Sequence, residues 1–340
     1  MTEVYYRKYR PKAFSEVVGQ EATIKILQNA ISKKRLAHAY LFAGPRGTGK
    51  TTVARILARE AGSFSEDIIE IDAASSRGID EARELREAVR SLPMRSPYKV
   101  YIIDEVHMLT KEAFNALLKT LEEPPAHAIF ILATTELEKV PDTVRSRTQV
   151  FEFGKIGIGD IVSELQKIAK AEKLDTEDDA LKLIAFFAEG SLRDAENLLF
   201  QIAGGEAEIS EKNARLFLGA PREESVRGLL KNALGKNVAE ALSVYGAILE
   251  DGIDPALLER LILRDLRGAY FLALDQNTEK ILRHEFSKDE IDFLKELAGA
   301  GEAHLGFAFK SLLDAHKTLM DDYLKSIPLE LALIKIATYK

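Results

Sequence analysis

The chain has 340 residues, 46% hydrophobic and 30% charged, which is typical of globular proteins and excludes a wholly disordered chain. Its formal net charge is −7, from 47 Lys+Arg and 54 Asp+Glu, so a surface that is basic throughout is excluded, although a local basic patch is not. Because the chain has no cysteine, disulfides, thiolate nucleophiles, iron–sulfur clusters and cysteine-based zinc sites are excluded too.

The length suits two or three domains rather than one core. No apolar run approaches the roughly 20 residues that cross a bilayer. The first residues, 1–11, are charged and lack the apolar stretch of a signal peptide. We therefore expect a cytoplasmic protein with no membrane partner.

Short apolar runs alternate with helical stretches through the first part of the chain. The runs are rich in β-branched and aromatic residues and lie at 40–43, 68–71, 100–103 and 129–132. Unbroken short runs predict strands buried on both faces of a parallel sheet. Helical stretches such as 51–60 and 79–89 separate them. This alternation predicts a doubly wound α/β domain over residues 1–155.

After Gly154 the strand-like runs end and helical periodicity takes over. Thr176 and Ser191 are each followed three residues later by an aspartate, which predicts two helix N-caps close to a capping box. We expect three short helices ending at 204–205 and a fourth after Ser210. From residue 221 onward the pattern predicts a second, longer helical domain.

A phosphate-binding pattern follows the first predicted strand. Residues 44–51 read GPRGTGKT and match G-x-x-x-x-G-K-[ST]. Glycines allow backbone N–H groups to face a phosphate chain, and the following helix adds its positive dipole end. Lys50 is expected to reach the β- and γ-phosphates and Thr51 to bind Mg²⁺. The alternative, a glycine-rich turn without a ligand, is disfavoured because the preceding strand and following helix are the context that the motif requires.

An acidic pair comes directly after the run at 100–103. Asp104 at the end of a buried strand is costly unless it holds a cation or a partner, and in P-loop proteins such an aspartate completes the Mg²⁺ shell. Glu105 is placed to polarise an attacking water. The alternative is two carboxylates in a solvated turn.

Three further polar residues are candidates for contact with the γ-phosphate. Thr135 follows the run at 129–132, where a hydroxyl can hold water or phosphate, although a plain strand terminus is equally compatible. Arg147 is a candidate arginine finger, which usually comes from a neighbouring subunit; alone it is a surface charge. Arg193 lies in the first turn of a predicted helix, where a cation opposes the helix dipole, and this indicates an anionic partner.

The motifs, taken in order, read YRKYRP at 6–11, VVGQ at 17–20, HAYLF at 38–42, the P-loop, DEVHML at 104–109, NALLKTLEEPP at 115–125 and GSLRDA at 190–195. Together they resemble the gamma/tau subunits of the bacterial DNA polymerase III clamp loader, strongly over residues 1–200 and more loosely beyond. The resemblance implies an α/β P-loop AAA+ core at 1–155, an all-α three-helix lid at 156–219 and an all-α collar at 220–340.

The resemblance also implies function and partners. The collar would hold a pentamer of gamma/tau copies with delta and delta-prime, and the pentamer would use ATP and Mg²⁺ to load the ring-shaped sliding clamp onto primer–template DNA. The chain would be an ATP hydrolase with no polymerase chemistry of its own. We expect the polymerase- and helicase-binding domains of tau to be absent from this chain.

Residue roles follow by position in the family's motifs. Glu105 would activate water, Thr135 and Arg193 would take the first and second sensor positions, and Arg147 would be the arginine finger. Mg²⁺ would be held by Thr51 and Asp104. The implied nucleotide-binding residues are Val17 and Val18 beside the adenine, and Gly44, Pro45, Arg46, Gly47, Thr48, Gly49, Lys50, Thr51, Thr52, Asp104 and Arg193.

The sequence departs from the family at two places. The family usually carries a four-cysteine zinc module after the P-loop helix, whereas residues 61–67 contain no cysteine, so we expect no zinc site. The family's Ser-Arg-Cys motif reads Ser-Arg-Thr at 146–148, which keeps the arginine and loses the thiol. We interpret His38 and His107, which belong to family patterns, as structural.

Two segments are candidates for macromolecular contacts. Ser76 and Arg77 precede a predicted helix, where free N–H groups and the guanidinium suit a DNA backbone phosphate; an ordinary helix cap is the alternative. Leu92 and Met94 form an apolar tip that by resemblance would touch the sliding clamp, or would otherwise fold back on the core.

Other functions are compatible with parts of the pattern. A non-catalytic structural subunit resembling delta-prime is one alternative, and the intact Lys50, Thr51, Asp104 and Glu105 argue against it. Another AAA+ machine, such as a replication factor C small subunit or a branch-migration motor, is a second alternative. The helical C-terminal region has no hairpin signal for a winged helix, which disfavours the branch-migration motor.

Overall fold

A five-stranded parallel sheet carries the first part of the chain. The computed structural model describes residues 3–75, 87–205, 208–319 and 326–339. Contacts divide the chain into two compact units, one within Met1–Ile168 and Ala188–Phe200, the other within Ala169–Phe187 and Gln201–Lys340. The segment 156–219, predicted as a separate lid, contributes to both units, and the three-domain division stays a prediction.

The sheet of the first unit has its strands in the order β2-β3-β4-β1-β5, with every pairing parallel. The strands are β1 (Ala39–Ala43), β2 (Ile68–Asp72), β3 (Lys99–Asp104), β4 (Ala128–Thr134) and β5 (Gln149–Glu152). Because all five are parallel, the carboxyl ends of β1, β3 and β4 meet at one edge, where the P-loop and the acidic pair begin.

The three central strands are buried on both faces, as their unbroken apolar runs predict. Phe42 and Ile102 belong to one apolar cluster, and their neighbours Leu41 and Ile103 belong to the other. The alternation follows from the strand period of two, which points successive side chains to opposite faces.

Two sheet features differ from the expectation. The run at 68–71 is only partly buried, because among the described residues β2 has a neighbouring strand on one side only. The fifth strand, Gln149–Glu152, has no unbroken apolar run and was not expected. It pairs with β1 at the other sheet edge, where polar side chains suit exposure.

Helices precede, separate and follow the strands. They are α1 (Tyr5–Lys8), α2 (Glu21–Ser32), α3 (Lys50–Glu60), α4 (Lys111–Glu122), α5 (Asp142–Arg145) and α6 (Ile158–Glu172). The predicted helix at 79–89 lies mostly outside the described residues, as does the candidate DNA contact at Ser76 and Arg77.

The remaining helices confirm the helical C-terminal region. They are α7 (Asp178–Phe187), α8 (Leu192–Gly205), α9 (Glu211–Leu218), α10 (Glu223–Leu234), α11 (Val238–Glu250), α12 (Pro255–Leu274), α13 (Glu279–Leu282), α14 (Lys288–Ala298), α15 (Glu302–Leu319) and α16 (Ser326–Ala337). Leu258, Ile262 and Leu266, one face of α12, lie in the main apolar cluster of the second unit. Within the described ranges, every helix is too short or too polar to cross a membrane.

Local capping explains where two helices begin. The Asp194 N–H donates to Ser191 Oγ at 3.2 Å, so Ser191 caps α8 as predicted. The Asn213 N–H donates to Ser210 Oγ at 3.3 Å at the start of α9. The predicted cap at Thr176 is wrong, because Thr176 pairs in a two-residue strand with Ile209 and α7 begins at Asp178.

Candidate nucleotide-binding site

Three glycines of the P-loop adopt backbone conformations that L side chains rarely adopt, with φ of +147° at Gly44, +73° at Gly47 and +99° at Gly49. A Cβ at Gly44 would overlap the Phe153 carbonyl, and one at Gly47 would overlap the Ser191 hydroxyl. The loop therefore needs glycine at these positions for both its conformation and its close packing.

Lys50 lies at the start of α3 and is buried. Its ammonium donates to the carbonyls of Gly44 at 2.7 Å and Pro45 at 2.8 Å. Burial lowers the pKa of Lys50, and the nearby carboxylates of Glu105 and Asp104 oppose this shift. A cation is thus held inside the loop whose N–H groups suit a phosphate chain.

Thr51 and Asp104 meet at the same place. Thr51 Oγ1 donates to Asp104 Oδ2 at 2.7 Å, and the Glu105 N–H donates to Asp104 Oδ1 at 3.0 Å. A hydroxyl and a carboxylate side by side are the oxygen ligands that Mg²⁺ uses beside substrate phosphates, so these residues fit that ion. In the described part of the chain, no cluster of three or more His, Cys, Asp or Glu side chains suits another metal.

Glu105 has a left-handed backbone, with φ 48° and ψ 44°, which is uncommon for a residue other than glycine. Thr135 Oγ1 donates to its Oε2 at 3.0 Å, and His107 Nδ1 lies 3.4 Å from the same oxygen. The side chain that would activate water is therefore held from the ends of β3 and β4 together.

His107 connects this carboxylate to two further groups. Its Nδ1 lies 3.0 Å from Thr134 Oγ1, and its Nε2 lies 3.2 Å from a Glu136 carboxylate oxygen. Thr134 is fully buried, and its hydroxyl also accepts the Glu136 N–H at 3.0 Å. The adjacent threonines thus differ in role: Thr134 holds the loop and the imidazole, and Thr135 contacts Glu105.

The cleft continues beyond the P-loop towards α8. The Arg193 guanidinium lies 4.7 Å from the centre of the Tyr6 ring, and its hydrogen bond lowers the pKa of Tyr6. Glu196, one helical turn further, is only 6% exposed. Desolvation and then the Glu164 carboxylate raise the pKa of Glu196 to about 8.

Most of the predicted nucleotide-binding residues line this single cleft. They are Val17, Val18, Arg46, Gly47, Thr48, Gly49, Lys50, Thr51, Thr52, Asp104, Glu105 and Arg193. Gly44 and Pro45 adjoin the cleft, because their carbonyls accept hydrogen bonds from Lys50. Thr135 adjoins the cleft through its hydrogen bond to Glu105.

Arg147 is not brought to the cleft. Its guanidinium donates to the Thr143 carbonyl at 2.9 Å and pairs with Glu122 at 2.7 Å. Leu92 and Met94 lie apart from the cleft as well and are 74% and 78% exposed.

Sequence reasoning missed several lining residues, namely Tyr6, Arg10, Pro11, Ile156, Leu192 and Glu196. One signal was available for Glu196. It shares an i, i+3, i+4, i+7 stripe with Leu192, Ala195 and Leu199, so it is a charged residue on the apolar face of its helix.

Comparisons with known proteins identify the family. Residues 19–70 and 60–157 match a family model described as DNA polymerase III, delta subunit, and residues 160–206 match the ATPase lid domain of DNA polymerase III clamp loader subunits. The DNA polymerase III subunit gamma of Buchnera aphidicola (Schizaphis graminum) is 34% identical over 359 residues, covering 99% of this chain and 98% of that protein. The chain belongs to the gamma/tau family of clamp loader subunits.

Two further comparisons concern the length and the fold of this gamma/tau chain. The Bacillus subtilis subunit tau is 46% identical over 284 residues, covering 76% of this chain and 50% of tau, so the chain spans about half the length of that relative. The Thermotoga maritima RuvB branch migration motor superimposes with a TM-score of 0.52 at 24% identity over 66% of this chain and 78% of RuvB. That likeness concerns the fold alone.

Family membership confirms the resemblance inferred from the motifs and the P-loop AAA+ core. Because the lid model matched at residues 160–206 is that of an ATPase, nucleotide binding follows from the family of this chain.

Proposed function

We propose that this gamma/tau chain is the cytoplasmic ATP-driven motor of a bacterial clamp loader, working with delta, delta-prime and further copies of itself to load the sliding clamp onto primer–template DNA. One observation carries the proposal: Lys50, Thr51, Asp104 and Glu105 converge on one cleft with their hydrogen-bonding groups in place. A structural subunit of the delta-prime type has no need of this set.

ATP binding uses groups along the whole cleft. The P-loop N–H groups and Lys50 hold the β- and γ-phosphates, Arg193 adds a second cation, and Val17 and Val18 lie beside the adenine. Thr51 and Asp104 would hold Mg²⁺, which neutralises charge that develops on the phosphate oxygens.

Hydrolysis needs one oriented water. The water oxygen forms a bond to the γ-phosphorus while Glu105 takes a proton from that water. The bond between the γ-phosphorus and the β–γ bridging oxygen breaks, and ADP leaves. Thr135 and His107 position the Glu105 carboxylate, since both contact its Oε2. Lys50 and an arginine from outside the cleft then stabilise the negative charge that develops on the phosphate oxygens in the transition state.

We assign that arginine to a neighbouring subunit. Arg147 is directed to Glu122 and Thr143 rather than to the cleft of its own chain, which supports action on an adjoining site. The exposed tip at Leu92 and Met94 is proposed to contact the clamp. Ser76 and Arg77 are proposed to contact the DNA backbone.

The decisive experiment measures nucleotide binding and ATP hydrolysis in the reconstituted assembly with clamp and primed DNA. Wild type is expected to show turnover stimulated by clamp and DNA. Lys50→Ala should lose nucleotide binding, and Glu105→Gln should keep binding but stop turnover. Lys25→Ala, at an exposed lysine of α2, is the matched control. Retained turnover in Lys50→Ala overturns the site assignment, and tight binding without turnover in wild type favours the structural-subunit alternative.

A mixing experiment tests the arginine finger separately. Assemblies containing only Arg147→Ala subunits should be inactive, whereas mixing them with Lys50→Ala subunits should restore part of the activity. Restoration requires that one subunit supplies the arginine to another subunit's intact P-loop. If mixed assemblies are as inactive as either parent, Arg147 does not act across the interface.

A further inference from the structure

Glu196 is a buried carboxyl group without a partner. It is 6% exposed and lines the nucleotide cleft. Within the described part of the chain, no group donates a hydrogen bond to it, and the charged group that perturbs it is another carboxylate, Glu164 on α6. The side chain is largely desolvated yet lines the cleft, so a ligand bound there can supply the hydrogen-bond partner that the protein does not.

The position of Glu196 along the cleft indicates which part of a bound ligand it would contact. Helix α8 begins beside the phosphate-binding turn, because the Leu192 N–H donates to the Gly47 carbonyl at 3.2 Å. Glu196 lies four residues beyond Leu192, which at 1.5 Å per residue is about 6 Å further along the helix. The apolar side chains that line the cleft include those of Val17, Val18, Ile156 and Leu192. This combination suits a purine base rather than phosphates.

We propose that Glu196 reads the base of the bound nucleotide by accepting a hydrogen bond from the 6-amino group of adenine. The inference rests on the proposed function and adds a specificity-determining residue to it. A protonated carboxyl also donates one hydrogen bond, and adenine places a ring nitrogen acceptor next to its amino group, so the two groups are complementary.

Burial supports this pairing. Desolvation and Glu164 raise the pKa of Glu196 to about 8, which keeps the group neutral at neutral pH. A neutral carboxyl does not repel the triphosphate and presents both a donor and an acceptor to the base.

The test compares ATP with purine riboside triphosphate, which carries hydrogen in place of the 6-amino group, by equilibrium binding to the full chain. Wild type should bind ATP roughly 10-fold or more tightly than the analogue, because the analogue leaves the buried acceptor unpaired. Glu196→Gln should keep this preference, since an amide has both an acceptor and a donor. Glu196→Leu should bind the two nucleotides equally.

Asp194→Asn is the matched control, because it removes a carboxylate from the same helix outside the cleft lining. It should leave the preference unchanged. Equal binding of ATP and the analogue by wild type, or an undiminished preference in Glu196→Leu, overturns the inference while leaving the proposed function intact. Failure of wild type to bind ATP at all overturns both.

Discussion

Gly47 packs against Ser191 so closely that any side chain at position 47 would overlap the Ser191 hydroxyl. The neighbouring Leu192 N–H donates to the Gly47 carbonyl at 3.2 Å. These contacts join the turn that faces the phosphates to the start of α8, which carries Arg193 and Glu196. The loop is therefore packed directly against the helix turn that carries Arg193, the proposed second sensor.

Gly47→Ala is expected to destabilise the first unit and weaken nucleotide binding. The new methyl group meets Ser191, and alanine disfavours the φ of +73° at this position, so a loss of about 2 kcal/mol is expected. Thermal melting and ATP titration measure the two effects. Gly228→Ala is the control, because Gly228 lies inside α10 with open space around it. This substitution should slightly raise the stability of the helix. An unchanged melting temperature for Gly47→Ala would contradict the proposed packing.

Thr135→Val is expected to lower ATP turnover by roughly 100-fold while leaving ATP affinity nearly unchanged. The valine keeps the shape of the side chain but removes the hydroxyl that donates to Glu105 Oε2, so the carboxylate loses its orientation. Steady-state kinetics in the reconstituted assembly separates the turnover number from KM.

Thr134→Val is the matched comparison for this prediction. Its hydroxyl is buried and accepts the Glu136 N–H, so its loss should lower the melting temperature as well as turnover. If Thr135→Val instead raises KM with unchanged turnover, Thr135 binds substrate rather than positioning Glu105.

Asp67→Asn is expected to destabilise the chain at pH 7, by an amount that begins to shrink only as the pH falls below about 4 towards the lowered native pKa of Asp67. The carboxylate accepts three backbone N–H bonds from Met94, Arg95 and Ser96, and the Met94 bond is the largest cause that lowers the pKa of Asp67. A lowered native pKa stabilises the fold above the unfolded pKa, near 4, and that contribution is lost as the pH falls.

Melting curves between pH 2 and pH 8 check this prediction, with the exposed Glu60→Gln as the control. A constant difference between wild type and Asp67→Asn over this range would show that the charge of Asp67 does not matter. Because the three N–H groups belong to the loop that carries Leu92 and Met94, we also expect Asp67→Asn to weaken clamp binding.

Asp265→Asn is expected to stabilise the second unit at pH 8 and to have little effect at pH 4. Burial raises the pKa of Asp265 to about 7, although Arg264 opposes the shift. The native state therefore binds a proton that the unfolded state has released between about pH 4 and pH 7, so stability falls as the pH rises through this range. Asparagine removes the ionisation.

The expected rise in melting temperature at pH 8 is roughly 2–4 °C, which corresponds to about 1 kcal/mol in a domain of this size. The exposed Asp251→Asn provides the control and should leave the pH profile unchanged. A lower melting temperature for Asp265→Asn at pH 8 would mean that its attraction to Arg264 outweighs the desolvation.

The sequence predicted those parts of the fold and site whose signal is local. Residues 44–51 form a contiguous pattern, and Asp104 and Glu105 end an apolar run, so the strand direction alone brings them to one sheet edge. The runs of β1, β3 and β4 are unbroken because both faces of these strands are covered.

The parts that were missed depend on neighbours distant in sequence. The exposure of β2 and the presence of β5 follow from their places at the edges of the sheet, and strand order has no local signature. Thr176 has the residue type of a helix cap but pairs with Ile209 instead. Glu196 became a site candidate only when the fold placed its helix beside the P-loop.

The left-handed backbone at Glu105 limits how this chain can be engineered for heat resistance. Glycine would relieve that backbone conformation by about 1 kcal/mol, but it would also remove the carboxylate proposed to activate water. Heat resistance and catalytic competence therefore make opposite demands on position 105. Glycines inside helices with open space around them, such as Gly246, are better positions for stabilising substitutions. Alanine there removes no group proposed to take part in catalysis.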